Sequence, residues 1–392
     1  MKSCVRLACD CGTLVKDEER TVSTQMRQTA PIRTAVVGYG FAGRIFHSPF
    51  VNTVPGLELT AIVQRHGDTA AEDYPGIRLL RSPGEAFADP AIDLIVVATP
   101  NDSHVEIAQR ALESGKHVVV DKPVAGSSSQ VRALIELAQR QGRLLAPFHN
   151  RRFDGDFLTV KRLKEEGRLG RITLVDSHYD RFRPLQRPNT WKEAGGAANG
   201  ILFDLGPHLV DQSLALFGAP KTISASVRHE RDVTAIEDAF DIVLEFELPE
   251  GHRVRYECHA TMLAPEPAPR FRVNGTMGSY VKFGLDPQEA ALLEGSRPTP
   301  FGSPIPWLPE KEASWGTLTL ATRVTEPVLV ERGKLPTETG DYRRFYANVR
   351  NAIRGEAPLE ISAEDAFRTI RLLELALEAS DQNHTLTVDF TE

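Results

Sequence analysis

A doubly wound parallel α/β domain followed by an α+β domain with a mostly antiparallel sheet is the fold class that three features of the sequence predict. First, a strand-like run, Ala35-Val36-Val37, enters glycines at Gly38, Gly40 and Gly43 and is followed by an apolar-periodic stretch, Ala42, Ile45, Phe46 and Phe50. Second, strand-like and helix-like segments alternate from Ile32 to Phe148 with short loops between them, the pattern of βαβ units in a parallel sheet. Third, the character changes after residue 148, and after Gly218 period-two alternation takes over from continuous apolar runs.

Each element has a local cause. Gly38 permits the tight turn out of the first strand, Gly40 lets backbone approach a pyrophosphate, and Gly43 lets the next helix pack on the strand. That helix start offers unpaired N–H groups and a positive dipole end. The turn Gly38-Tyr39-Gly40-Phe41-Ala42-Gly43 is therefore read as a dinucleotide site. Leu57–Val63 is a second strand, Ile77–Leu80 a short third, and Pro83–Ala88 a helix. Asp93–Ala98 carries a continuous apolar run, as a strand buried on both faces requires. Ser103 is placed as N-cap of a helix carrying Ile107, Ala108, Ala111 and Leu112, which Gly115 closes. His117–Val120 is the fifth strand. Ser127–Ser129 starts a helix that ends near Gly142, and Leu144–Phe148 is the sixth strand.

In the second domain Phe157–Leu163 reads as helix, Arg171–Tyr179 as strand, and Ile201–Phe217 contains a helix. Alternating runs follow at Thr222–Arg228, Phe240–Phe246, Arg253–Ala260, Phe271–Val273 and Tyr280–Phe283, with Asn274-Gly275 and Gly278 as turn residues between the last two. Residues 284–340 are rich in Pro and Gly and read as loops with one hairpin, Thr317–Thr322 with Val328–Glu331. Amphipathic helices are expected at Tyr342–Arg354 and Ala363–Ser380, the latter with Ser362 as cap and Asp365 as N-terminal acid. The resulting domains are a flexible extension over 1–30, a dinucleotide-binding domain over 31–148 and an α+β domain over 149–392.

The totals narrow the function. At 392 residues the chain has room for two or three domains, and 41% hydrophobic with 25% charged residues is ordinary for a soluble globular protein. No apolar run is long enough to span a bilayer. Lysine and arginine number 46 against 53 acids, a net charge of −7, which argues against a nucleic-acid or membrane-surface binder. Cys4, Cys9 and Cys11 form neither a disulfide framework nor a usual zinc spacing, and Cys258 alternates within a strand as a buried thiol would. No metal site is read, and a reducing cytoplasm fits. Residues 1–30 are polar, mixed in charge and without the apolar segment of a secretory signal; translation from Met26 would explain them.

Three further motifs join the glycine turn: Thr99-Pro100-Asn101-Asp102-Ser103-His104 after the fourth strand, Asp121-Lys122-Pro123 after the fifth, and Asp204-Leu205-Gly206-Pro207-His208 in the second domain. Together they resemble the glucose–fructose oxidoreductase/inositol dehydrogenase/rhizopine-catabolism (Gfo/Idh/MocA) family from Ile32 to the last helix. His149 to Asp154, Asp180 to Pro184 and Gly284 to Glu289 are most similar to a bacterial subgroup containing NADP-dependent scyllo-inositol dehydrogenases. The resemblance implies a Rossmann domain, a large open-faced sheet that pairs subunits into a dimer or larger homo-oligomer, and an oxidoreductase acting on a CH–OH group of a cyclic polyol or sugar. The family usually has Glu where this chain has Asp121, which keeps the charge one methylene shorter.

Lys122 falls just past the C-terminal end of a strand, where ligands bind in open α/β sheets; the resemblance implies that it orients the substrate hydroxyl and that its peptide to Pro123 is cis. Asp204 and His208 are four apart and share a helix face. Spacing alone favours a cap and a core histidine. The resemblance makes His208 the general acid/base, with Asp204 holding a hydroxyl or tuning the pair. Pro207 suits a helix that begins near it, whose positive end would keep His208 neutral. By the same resemblance Thr99, Pro100, Asn101 and His104 line the nicotinamide side and Asp121 joins the cofactor site. At the end of the second strand, Gln64 and Arg65 replace the acid that would bind a ribose 2′-hydroxyl, so NADP is expected, with NAD possible. His149, Arg151, Arg152, Asp154, Tyr179, Arg183 and Trp191 are candidates for a substrate pocket between the domains: Arg and Asp share hydrogen bonds with vicinal hydroxyls, and Trp packs on a sugar face. Arg183 also suits a carboxylate or phosphate. A tightly held, recycled NAD in a sugar-processing enzyme and a cofactor-sensing regulator are the other readings that the fold allows.

Overall fold

The strand Leu94–Val97 (β4) is wholly buried, as its unbroken run of branched apolar side chains demands. It sits at the centre of a six-stranded parallel sheet in a computed structural model that describes residues 30–187, 193 and 198–390. The sheet order is β3-β2-β1-β4-β5-β6, formed by Ile32–Val37 (β1), Leu57–Val63 (β2), Arg78–Leu80 (β3), β4, His117–Val120 (β5) and Leu145–Pro147 (β6). The order reverses between β1 and β4, and an open parallel sheet binds its ligand in the crevice outside the strand ends at that point. Helices Ser48–Val51 (α1), Thr69–Asp73 (α2), Pro83–Ala88 (α3), His104–Glu113 (α4) and Ser128–Gln141 (α5) connect the strands. Ser127 caps α5 by accepting from Gln130 N, and Gly142 closes it in the left-handed conformation, as expected. Ser103 holds the cap position of α4 but donates instead to Pro100 O and Thr99 Oγ1, because Asn101–Ser103 forms a 3₁₀ turn first.

The second sheet has nine strands in the order β14-β13-β12-β11-β7-β10-β9-β8-β15. They are Ile172–His178 (β7), Thr222–Arg228 (β8), Ala239–Glu247 (β9), Arg253–Thr261 (β10), Phe271–Gly275 (β11), Gly278–Lys282 (β12), Gly316–Arg323 (β13), Leu329–Leu335 (β14) and Leu386–Thr387 (β15). All neighbours are antiparallel except β7 and β10. The turn between β11 and β12 is centred on Thr276-Met277; Asn274 and Gly275 belong to the strand and Gly275 pairs with Gly278. Helices Gly155–Glu165 (α6), Ile201–Phe217 (α7), Pro287–Leu293 (α8), Arg343–Ile353 (α9) and Ala363–Gln382 (α10) complete the chain. Ser362 and Asp365 form a reciprocal capping box on α10. The helix α8 lies where loops were expected; Asp286 caps it by accepting from Gln288 N, and Pro287 occupies its first turn.

The sheet has two chemically different faces. Val254, Tyr256, Cys258 and Ala260 of β10, with Phe240, Ile242, Leu244 and Phe246 of β9, are buried in the main core against α7, and α10 packs on α7 and β8. The Cys258 thiol is free, and burial raises its pKa. The alternate side chains, Arg253, Arg255, Glu257 and His259, stay accessible on the other face. No helix among the described residues is long and apolar enough to cross a membrane.

A buried ion pair joins the 3₁₀ turn Asn150–Phe153 to α7. Arg152 grips Asp211 through two bonds of 2.8 and 2.6 Å and reaches Asp365 at 3.4 Å. Removing one member of such a pair leaves an uncompensated buried charge, at a cost of about 3–5 kcal/mol. Arg152→Met is therefore expected to lower the free energy of unfolding in urea by an amount in that range, and a value equal to wild type would show that Asp211 does not depend on the pair.

Candidate active site

The glycine turn lies at the C-terminal end of β1, beside the end of β4. Gly38 has φ +99°, and a Cβ there would stand 2.6 Å from Ala98 O. A Cβ on Gly43 would stand 1.9 Å from Gly38 O, whereas one on Gly40 would meet no atom within 4 Å. The backbone is helical from Phe41 and passes through a π-helical segment, Gly43–His47, before α1. The first two glycines named hold the turn together, and the third leaves open space in front of a helix start, the shape that a dinucleotide pyrophosphate requires. Tyr39 donates to Asp73 at 2.7 Å, and Phe41 and Ala42 open the helix.

At the end of β2, Gln64 accepts from Ala70 N at 2.9 Å and so turns toward α2. Arg65 is exposed. Asp68 is taken by Arg81 at 2.6 Å, and Arg81 also donates to Gln64 O and Gly67 O. After β4, Asn101 donates to Ala198 O at 3.0 Å, while Thr99 and Pro100 are partly accessible and exposed, respectively. His104 is placed differently from its expectation. It is buried, and its ring nitrogens lie 2.8 Å from Pro123 O and 2.8 Å from Thr99 O. It therefore clamps the loops after β4 and β5 together and does not line the crevice.

Lys122 follows β5, and its peptide to Pro123 is cis. Its ammonium donates to Asp204 O at 2.7 Å and to Asp204 Oδ1 at 3.1 Å. Arg181 meets the other carboxylate oxygen, Asp204 Oδ2, at 3.2 Å. Asp121 accepts from Lys122 N at 2.8 Å and faces His47 Nε2 at 3.6 Å. Burial opposes its charge, but His47 and Lys122 outweigh that effect and hold the carboxyl near 2. His47 is bonded in turn to the Tyr346 hydroxyl at 2.6 Å.

His208 lies one turn after Asp204, on the same face. The helix starts at Ile201, so His208 is in its second turn and Pro207 in its interior, which removes the expected action of the helix end on His208. Burial is the main reason its pKa falls well below 6.5, with the positive charges of Lys122 and Arg151 adding to it. The imidazole is neutral, and among the described residues Nδ1 is buried without a hydrogen-bond partner. Tyr179, in edge contact with His208, has a hydroxyl in the same condition, and so do both ring nitrogens of His149. Native proteins rarely leave such atoms unsatisfied, and a cluster of them marks where water or a polar ligand binds.

The remaining candidates divide. Arg151 pairs with Glu289, donates to the Tyr342 hydroxyl at 3.1 Å and stands 3.4 Å from Asp154. Burial opposes its charge, and these neighbours restore it. Asp154 is buried behind Arg151 and accepts from the Tyr342 hydroxyl at 2.7 Å, so it supports Arg151 and does not face the crevice. Arg152 points away into its pair with Asp211 and is part of the core. Arg183 is half-buried, which lowers its pKa, with Arg181 and Arg187 contributing. Trp191 lies outside the described residues, as do residues 1–29. Arg181 and Glu289 are the site neighbours that single-position reading missed; an Asp-Pro pair ahead of Ala290 and Leu292 was the available signal for the helix that carries Glu289.

A dinucleotide-binding sheet whose crevice holds a lysine beside a buried neutral histidine defines the class of nicotinamide-dependent oxidoreductases. Residues 32–149 match the oxidoreductase family, NAD-binding Rossmann fold, and residues 161–389 match its C-terminal alpha/beta domain. The chain belongs to the Gfo/Idh/MocA oxidoreductase family. It is 41% identical to the uncharacterized oxidoreductase YdgJ of Escherichia coli over 91% of this chain and 98% of that one. It is 32% identical to the scyllo-inositol 2-dehydrogenase (NADP(+)) IolW of Bacillus subtilis over 93% and 98%. The solved structure of the Bacillus subtilis protein yvaA superposes with a TM-score of 0.86 at 31% identity, over 92% and 99%.

The glycine geometry separates two kinds of substitution. Gly38→Ala and Gly43→Ala are expected to lower the melting temperature sharply, because each Cβ meets backbone. Gly40→Ala is expected to melt like wild type and to lose most of any stabilisation conferred by added nicotinamide dinucleotide. Equal melting of all three variants would contradict this division.

Proposed function

We propose that the protein transfers hydride between NADP and a CH–OH/C=O group of a cyclic polyol or sugar. The observation that carries this reading is the lysine ammonium of Lys122, anchored on Asp204 beside the neutral, buried His208 at the end of β5. A nicotinamide cofactor, held with its pyrophosphate at the glycine turn, would supply the acceptor for the hydride that leaves the alcohol carbon. His208 receives the hydroxyl proton, which its lowered pKa equips it to do as a free base. Lys122 stabilises the charge that develops on the oxygen as the proton leaves. Asp204 holds Lys122 in place and shares its second oxygen with Arg181. Reduction of a ketone uses the same groups in reverse.

Two features support a polyhydroxylated substrate. The unpartnered polar atoms of His149, His208 and Tyr179 offer hydrogen bonds in several directions, and the relative IolW is named for its action on scyllo-inositol. Exposed Arg65, with Asp68 already engaged by Arg81, supports NADP over NAD, since no carboxylate is left for the ribose 2′-hydroxyl.

A panel of inositols and aldoses with NADP and NAD, followed by absorbance of the reduced cofactor, tests the assignment. NADP is expected to give the higher kcat/KM, and Arg65→Ala to narrow the difference; a strong NAD preference would reject the cofactor reading. Lys122→Ala and His208→Ala are each expected to lower kcat by about 10²–10⁴ with near-normal NADPH binding. Wild-type turnover in both would remove them from the mechanism.

The pH profile carries a sign. Alcohol oxidation needs neutral His208, and burial depresses its pKa. The base form therefore persists below the ordinary imidazole value of 6.5, and the acid limb of kcat/KM is expected below that pH. A limb centred above it would assign the base to another group.

A further inference from the structure

The open face of the nine-stranded sheet carries a second cluster of titratable side chains, separate from the crevice. Strands β7 and β10 run parallel there, with His178 opposite His259 and Asp176 opposite Glu257. Period-two alternation puts all four side chains on one face. The two imidazoles stack, with ring centroids 4.5 Å apart. Both Nε2 atoms converge on one oxygen, Asp176 Oδ1, at 2.7 Å from His178 and 3.5 Å from His259. Glu257 Oε2 stands 3.7 Å from His259 Nε2.

The other side of each ring is also occupied. His259 Nδ1 lies 2.5 Å from Asp241 Oδ1, and His178 Nδ1 lies 3.3 Å from Asp180 Oδ2. The carboxylate at His259 Nδ1 orients that ring with Nε2 toward Asp176, which is how metal-ligating histidines are usually supported. One ligand atom each from Asp176, His178 and His259 lies within 4.8 Å of the others. An ion with bonds of 2.0–2.1 Å places tetrahedral ligands about 3.3 Å apart, close to the 3.5 Å between His259 Nε2 and Asp176 Oδ1.

We propose that Asp176, His178 and His259 bind one divalent transition-metal ion of the zinc class, with Asp241 and Asp180 as positioning residues and Glu257 within reach as a fourth ligand. Two imidazoles and a carboxylate suit zinc and its neighbours better than magnesium or calcium, which prefer all-oxygen sites. The ion displaces the proton shared between His178 and Asp176. Arg272, Arg228 and Arg255 pair with the outer edges of Asp176, Asp241 and Glu257 and reduce the negative charge that the ion meets. Bound there, the ion crosslinks the parallel junction of the sheet three residues before Arg181.

Chelator-treated full-length protein, titrated with zinc by calorimetry and with cobalt(II) by visible absorbance, tests the site. Wild type is expected to bind at least one equivalent per chain that His178→Ala/His259→Ala lacks. Asp241→Asn is expected to weaken that equivalent by about 10–100-fold. NADPH binding retained by each variant serves as the folding control. No saturable binding to wild type, or retention of every wild-type equivalent by the double variant, overturns the proposal.

Discussion

The contact of Lys122 with Asp204 ties the parallel sheet to the helix that covers the antiparallel one. The ammonium reaches both the backbone carbonyl and the carboxylate of Asp204, so its position is set by the helix and by the β5 loop together. The Asp204 carboxylate is shared with Arg181, which continues from β7. A carboxylate between two cations holds each of them in place.

Burial of charge explains the rest of the site as well. Arg151 is out of solvent and survives as a cation because Glu289, Asp154 and two tyrosine hydroxyls surround it. For His208 the compensation is too small: Asp204 favours its charge, but desolvation and the positive charges of Lys122 and Arg151 outweigh it and it stays neutral. The same low-polarity setting thus holds an arginine charged and a histidine uncharged, a division of roles that general acid–base chemistry requires.

Much of the fold was legible because its causes are local. Continuous apolar runs such as β4, the capping box at Ser362 and the left-handed Gly142 each depend on neighbouring residues. The start of α7 was misplaced because Pro207 reads as a first-turn residue, whereas Gly200 precedes the helix and Pro207 sits inside it. The site was legible where motifs carried it, at Lys122, Asp204 and His208. Arg152, Asp154 and His104 have the same polarity as their crevice neighbours, and only packing separates them. Arg152 finds Asp211, and His104 finds two carbonyl groups; nothing in their immediate sequence distinguishes those partners from a ligand.

The nine-stranded sheet explains why its polar face was the hardest part to read. Along one strand, Asp176 and His178 are an unremarkable pair, and His259 lies far away in the chain. Their meeting depends on β7 pairing with β10 in parallel, in a sheet whose other neighbours are antiparallel. Hairpin logic predicts sequential antiparallel neighbours and cannot anticipate that junction. The core face of the same two strands was easier, because Val175, Tyr256 and Cys258 would be buried under any pairing that kept their alternation. Apolar side chains require only the correct face, whereas converging histidines require the correct face, the correct neighbour and the correct register.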